Sequence, residues 1–231
     1  MDEIAKRLAT VRARIARAEE SAGRPPGSVE LLAVSKTRPA ADIARALHCG
    51  QRRFGESYVQ EALDKISALA DRDIDWHFIG PIQTNKTRAI AENFDWVHSI
   101  DRLKVARRLS EQRPADRPPL NVCLQVNISG ETRKAGASPA EAPTLARAIA
   151  ALPGLHLRGL MTIPAPESEP ARQRQPFRAL RELFDRLRAE GLTLDTLSMG
   201  MSDDLEAAIA EGATLVRIGT AVFGERPRRP A

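Results

Sequence analysis

Leu31-Leu32-Ala33-Val34-Ser35-Lys36-Thr37-Arg38-Pro39 opens as an unbroken apolar run and closes on a lysine and a proline-bounded turn. Continuous apolar residues, rather than alternation, suit a parallel strand covered on both faces. The turn carries no Gly-x-Gly-x-x-Gly, which an open doubly wound sheet more often shows after its first strand. The open sheet is therefore the alternative and a (β/α)8 barrel the expectation. Seven further short apolar runs follow, giving strands at 31–36, 52–57, 76–80, 96–100, 120–128, 155–163, 196–200 and 214–220. Between them lie helical patterns at 39–49, 57–70, 84–93, 101–112, 138–152, 170–190 and 202–211.

Only seven of these helices follow a strand. The tail Gly224-Glu225-Arg226-Pro227-Arg228-Arg229-Pro230-Ala231 carries two prolines, which argue against a long eighth helix. Residues 2–22 place Ile4, Leu8, Val11 and Ile15 at helical spacing before the first strand, and this helix is expected to complete the outer ring. Asp101 is expected to cap the fourth helix. Ser138 and Glu141 have the spacing of a capping box, and Gly191 ends the sixth helix. No domain boundary is visible, and 231 residues suit one barrel domain, 1–231.

Composition narrows the function. The formal charge is +5, but the arginines are interleaved with acids, as in Arg7, Arg12, Arg14 and Arg17 with Glu19 and Glu20. That is the pattern of solvated helix faces. Aromatics make up 4%, without the aromatic-basic interleaving that stacks bases, so no nucleic-acid partner is expected. No stretch approaches the ~20 apolar residues of a membrane span, and the start Met1-Asp2-Glu3-Ile4 has no signal core. Cys49 and Cys123 lack metal-ligand spacing, which points to a reduced compartment, and the protein is expected to be cytoplasmic with no metal.

In such a barrel the chemistry sits at the C-terminal strand ends, with phosphate favoured after strands seven and eight. Of the six lysines, Lys6, Lys36, Lys65, Lys86, Lys104 and Lys134, only Lys36 ends an apolar strand. A partly desolvated amine there has a lowered pKa and can form an imine, although a strand-end lysine can also simply reach for water. After strand seven, Ser198-Met199-Gly200-Met201-Ser202-Asp203-Asp204 reads as a close-approach glycine with Ser202 as helix cap; an ordinary capped helix is the competing reading. After strand eight, Arg217-Ile218-Gly219-Thr220 offers a hydroxyl, backbone N–H groups and an inward arginine, which a buried ion pair would also explain. Closure sets strand eight beside strand one, so an amine and an anion cradle become neighbours. That is what a phosphorylated aldehyde requires.

The same residues carry a family resemblance. Leu31–Thr37, Phe54-Gly55-Glu56, Tyr58-Val59-Gln60-Glu61, His77-Phe78-Ile79-Gly80-Pro81-Ile82-Gln83-Thr84-Asn85-Lys86, Leu197–Asp203 and Arg217–Thr220 resemble the pyridoxal phosphate homeostasis proteins of the YggS/PROSC type over essentially the whole chain. The resemblance implies a fold like the alanine racemase N-terminal domain and pyridoxal 5'-phosphate as a Schiff base on Lys36. It implies phosphate contacts from Ser202, Gly219 and Thr220, helped by Ser198 and Met199, with Arg217 facing the pyridine nitrogen. It also implies a carrier or regulator of vitamin B6 balance rather than an enzyme, with pyridoxal-dependent apoenzymes as recipients. Ser57 stands where the family usually has Asn, so its contact is in question. His77 reads as packing more than as a base, and Asn85 with Lys86 as a helix start. An amino-acid racemase is the alternative. Its opposing base would be a tyrosine from a second domain, and this sequence ends at Ala231 with Tyr58 as its single tyrosine. An aldolase-type Schiff base is a third option, but barrel aldolases more often place their lysine on strand six, where 155–163 has none. Without an extra apolar stripe, a monomer is expected.

Overall fold

The computed structural model describes residues 2–131 and 135–225; Lys134 and the tail residues 226–231 with Pro227 and Pro230 lie outside them. Eight parallel strands close into a barrel in chain order. They are β1 (Glu30–Val34), β2 (Arg53–Glu56), β3 (Asp75–Phe78), β4 (Trp96–Ile100), β5 (Leu120–Gln125), β6 (Leu155–Met161), β7 (Thr196–Ser198) and β8 (Leu215–Ile218). Closure is made by β8 against β1, with Leu32 opposite Arg217 and Ala33 opposite Ile218. The expected (β/α)8 architecture is therefore present, and the open sheet is excluded.

The helices are α1 (Glu3–Ser21), α2 (Ala40–His48), α3 (Val59–Ala68), α4 (Thr87–Asn93), α5 (Leu103–Gln112), α6 (Ala142–Ala150), α7 (Pro170–Ala189), α8 (Leu205–Ala210) and α9 (Thr220–Phe223). A 3-10 turn, Thr84–Lys86, leads into α4. Asp2 starts α1 by accepting from the Ile4 N–H at 3.2 Å. Ile4, Leu8, Val11, Ile15 and Ala18 then bury one face of α1 against α2, α8 and α9. The helix before the first strand thus fills the eighth outer position, as its periodicity requires.

Two capping expectations fail. Asp101 does not cap α5: its carboxylate pairs with the neighbouring Arg102 at 2.6 Å, and Arg102 occupies the flanking position. Ser202 does not cap α8, which begins only at Leu205. Asp204 accepts from the Met201 N–H at 2.5 Å and closes a turn first, leaving Ser202 inside it. The Ser138–Glu141 box does form: Glu141 N–H donates to Ser138 Oγ at 3.2 Å and Ser138 N–H to Glu141 Oε2 at 3.1 Å. The regular helix follows one turn later. Gly191, at φ 97°, ends α7 as expected.

The apolar core lies mainly between barrel wall and helices. The barrel interior also holds buried polar side chains, among them His77, His98, Ser198 and Arg217. At its N-terminal end Arg158 stacks over Trp96 at 4.8 Å and pairs with Asp195 at 2.6 Å. Arg53 pairs with Glu30 at 2.8 Å beside them. These charged groups line the N-terminal end of the barrel.

Candidate functional site

Strand ends run shorter than their apolar runs suggest, and this shapes the C-terminal mouth. β1 stops at Val34, and Lys36 stands in the turn beyond it. β8 stops at Ile218, so Gly219 flanks the four-residue α9 and Thr220 begins it. A cavity of about 490 Å³ opens there, within the usual range of small-molecule sites. Lys36, Ser57, Ser202, Arg217, Gly219 and Thr220 line it together. Lys36 is half-buried, while Thr220 is exposed at the rim.

The other candidates lie elsewhere. Ser198 sits beneath the cavity, and Met199 is fully buried in the layer between barrel and helices. Asn85 is exposed on the 3-10 turn, outside the cavity. His77 is buried in the barrel interior, stacked on Trp96 at 5.3 Å with planes 5° apart. Its sequence reading as a packing residue matches this placement.

Arg217 is held by three hydrogen bonds: to Ser198 O at 2.6 Å, Ser198 Oγ at 2.8 Å and Thr162 O at 2.8 Å. Burial draws its guanidinium down to about 10, opposed by Asp204, so it stays charged at neutral pH. Ser198 Oγ also lies 2.8 Å from His98 Nδ1, and His98 Nε2 lies 2.9 Å from His77 Nδ1. His98 is on β4 and Ser198 on β7, which are not neighbours, so this contact crosses the barrel interior.

The direction of that chain follows from chemistry. An arginine only donates, so Ser198 Oγ accepts from Arg217 and has one hydrogen left to give. His98 Nδ1 is the other group within hydrogen-bonding reach of Ser198 Oγ, so we assign that hydrogen to it. A neutral His98 then carries its hydrogen on Nε2 and donates to His77, which is left with Nε2–H. That atom is buried without a hydrogen-bond partner. Burial, then the Arg217 charge, pulls His98 down to about 3. His77 is lowered well below its ordinary value by burial, then His98 and Arg53. Both are neutral at working pH. Cys123, by contrast, is an inert thiol, pushed up to about 12 by burial.

Sequence reasoning missed Arg14, Arg38 and Asp203 on the cavity wall and the apolar walls Ile79, Ile163 and Met201. Arg14 donates from α1 to Ser202 O at 3.1 Å and to Glu206 at 3.0 Å, tying the helix before the first strand to the loop after β7. Arg38 donates to Gly224 O at 2.5 Å and Glu225 O at 2.6 Å. Nothing in the pattern of α1 distinguishes Arg14 from Arg12 or Arg17. His98 had one signal: a histidine inside an apolar strand, which calls for a partner. Among the described residues no cluster of His, Cys, Asp or Glu could hold a metal, and no helix is long and apolar enough to cross a membrane.

This closed barrel with its buried polar side chains and single strand-one lysine at the mouth falls in a known class. The family model described as alanine racemase, N-terminal domain, matches residues 7–227. Within that class the chain belongs to the pyridoxal phosphate homeostasis protein family. It is 63% identical to the protein of that name from Pseudomonas aeruginosa over 226 residues, covering 98% of this chain and 97% of the relative. The Escherichia coli K12 protein of the same name is 56% identical over 229 residues, 98% of each chain. Among solved structures, PipY of Synechococcus elongatus PCC7942 with pyridoxal phosphate bound is 39% identical, with a TM-score of 0.84 over 96% of this chain and 100% of that one. Alanine racemase of Clostridium difficile 630 is 15% identical with a TM-score of 0.74, a likeness of fold.

Proposed function

We propose that this protein holds pyridoxal 5'-phosphate as a Schiff base on Lys36 and serves to buffer or deliver it. The observation that carries the reading is one of pairing. Because β8 lies against β1, Lys36 shares one cavity with Ser202, Gly219, Thr220 and Arg217. The donor set fits the group: an amine for the aldehyde, hydroxyls and backbone for the phosphate, and an arginine for the ring. The naming of close relatives and the bound pyridoxal phosphate in PipY support it.

When bound, the group would supply a reactive aldehyde, and Lys36 Nζ would be the amine that holds it. The residues of the chain do the rest. Ser202 and Thr220 would hold the phosphate, with Gly219 permitting close approach. Ser198 and Met199 do not line the cavity, and the Met199 N–H is already donated to Leu215 O at 3.1 Å, so Ser198 would act through Arg217 and Met199 is assigned no contact. Arg217, fixed from below by Ser198 and Thr162, would donate to the ring nitrogen and could not accept, so it would keep that nitrogen unprotonated. Ser57, half-buried on the wall, is a shorter contact than an asparagine would make. His77 and Asn85 are assigned no contact.

The same cavity favours binding over racemisation. Apart from arginines, its titratable lining among the described residues is Lys36 and the carboxylate of Asp203. Tyr58, the candidate opposing base, is 54% exposed at the edge of α3 and does not line it. We therefore read the protein as a carrier or regulator: one cytoplasmic barrel domain, monomeric, with pyridoxal-dependent apoenzymes as recipients and neither nucleic acid nor membrane as a partner. The test is spectroscopic. Mixing with pyridoxal phosphate should produce a visible imine band that borohydride fixes to Lys36. Lys36→Ala should lose both, and retention of both would refute the attachment.

A further inference from the structure

We propose that Lys65, Glu56 and Glu61 form a buried ion triad whose role is to position Lys36, by fixing the residues on either side of it. The proposal rests on the reading of Lys36 as the attachment point. Lys65 lies on α3 and is 5% exposed. Its Nζ donates to Glu56 Oε1 at 2.8 Å, to Glu61 Oε1 at 2.6 Å and to the carbonyl of Ser35 at 2.9 Å. An ammonium has three donors, and all three are engaged, so Lys65 is a fixed cation and not a second nucleophile.

The carboxylates complete the clamp. Glu56, wholly buried at the end of β2, accepts the Ser35 hydroxyl at 2.6 Å on the same oxygen that pairs with Lys65. Glu61 accepts the N–H of Thr37 at 2.5 Å. Ser35 is thus held at its carbonyl and its hydroxyl, and Thr37 at its amide, with Lys36 between them. Thr37 also has φ 65°, a left-handed conformation that a β-branched residue rarely adopts. It persists because its neighbours over-determine it. Arg38 N–H closing onto Ser35 O at 3.0 Å completes the tight turn. The second βα unit therefore anchors the turn of the first, and Glu56, Glu61 and Lys65, which set the direction in which the Lys36 side chain leaves the backbone, do not line the cavity.

Glu61 is the member to test, because it is part-exposed and its loss leaves the Glu56–Lys65 pair intact. With Glu61→Ala, borohydride should still fix pyridoxal phosphate to Lys36, but the cofactor should leave about ten-fold faster, the worth of one charge-assisted hydrogen bond. The rate is read by trapping released aldehyde well below the thermal midpoint. Glu61→Gln keeps an acceptor for the Thr37 N–H and should restore most of the slow release. Glycine adopts left-handed φ without penalty, so Thr37→Gly should shrink the effect of Glu61→Ala. A purely structural role would lower the thermal midpoint in both Glu61 variants and leave release unchanged in both; that result overturns the positioning role. Absence of a Lys36 adduct in the unaltered protein would instead overturn the underlying reading.

Discussion

Acidification should unfold this protein through its barrel interior. His98 in an unfolded chain titrates near 6.5, whereas in the fold burial and the Arg217 charge hold it neutral down to about 3. Between those values the unfolded state binds a proton that the folded state refuses. Stability contributed by neutral His98 is therefore complete above pH 6.5 and is lost as pH falls. The slope approaches about 1.4 kcal/mol per pH unit, or roughly 2 kcal/mol between pH 6.5 and 5. His77, lowered for the same leading reason, adds in the same direction. Carboxylate pairs also weaken in acid, so the assay needs a variant that isolates the histidine. Urea midpoints followed by tryptophan fluorescence at pH 7, 6 and 5 should fall more steeply for the native chain than for His98→Asn. In parallel, the His77 and His98 ring resonances should stay unmoved to pH 5, with the hydrogen on Nε2 in both. A ring midpoint above pH 6 for either histidine, or equal pH slopes in the two proteins, would refute the neutral, one-directional chain from Arg217 to His77.

Two further outcomes test the mouth. A Cβ at Gly80 would stand 2.2 Å from Ser57 O and 2.7 Å from its Cα, so Gly80→Ala must push backbone. It should cost about 1–3 kcal/mol, lower the thermal midpoint by several degrees and loosen the cofactor; an unchanged midpoint would show that the strand ends can yield. Thr220→Ala or Ser202→Ala should weaken pyridoxal phosphate about ten-fold more than pyridoxal in titrations of the visible band, whereas equal losses would remove both residues from the phosphate site.

The alternation of apolar runs with helical patterns was enough to give eight strands and to assign residues 2–22 to the missing outer helix, because both follow from local periodicity. Lys36 was legible for the same reason: a lysine that ends an apolar strand is visible within its own segment. The strand ends were less so. Asp204, by capturing Met201 N–H, shortened α8 and displaced Ser202 from the cap. That contest between two neighbouring hydrogen-bonding side chains cannot be ranked from spacing alone.

What the sequence by itself determined is the fold class, the position of the lysine and the segments that form the mouth, all of which depend on short-range pattern and on the rule that β/α barrels work at their C-terminal ends. Only the tertiary structure decided what each polar side chain does there. Glu61 and Lys65 have the spacing of a solvated helix pair, and became a buried clamp because β2 brought Glu56 beneath them. Ser198 and His98 are 100 residues apart. They meet only because the closed barrel brings side chains from opposite strands into one interior, where a buried polar group left without a partner is costly.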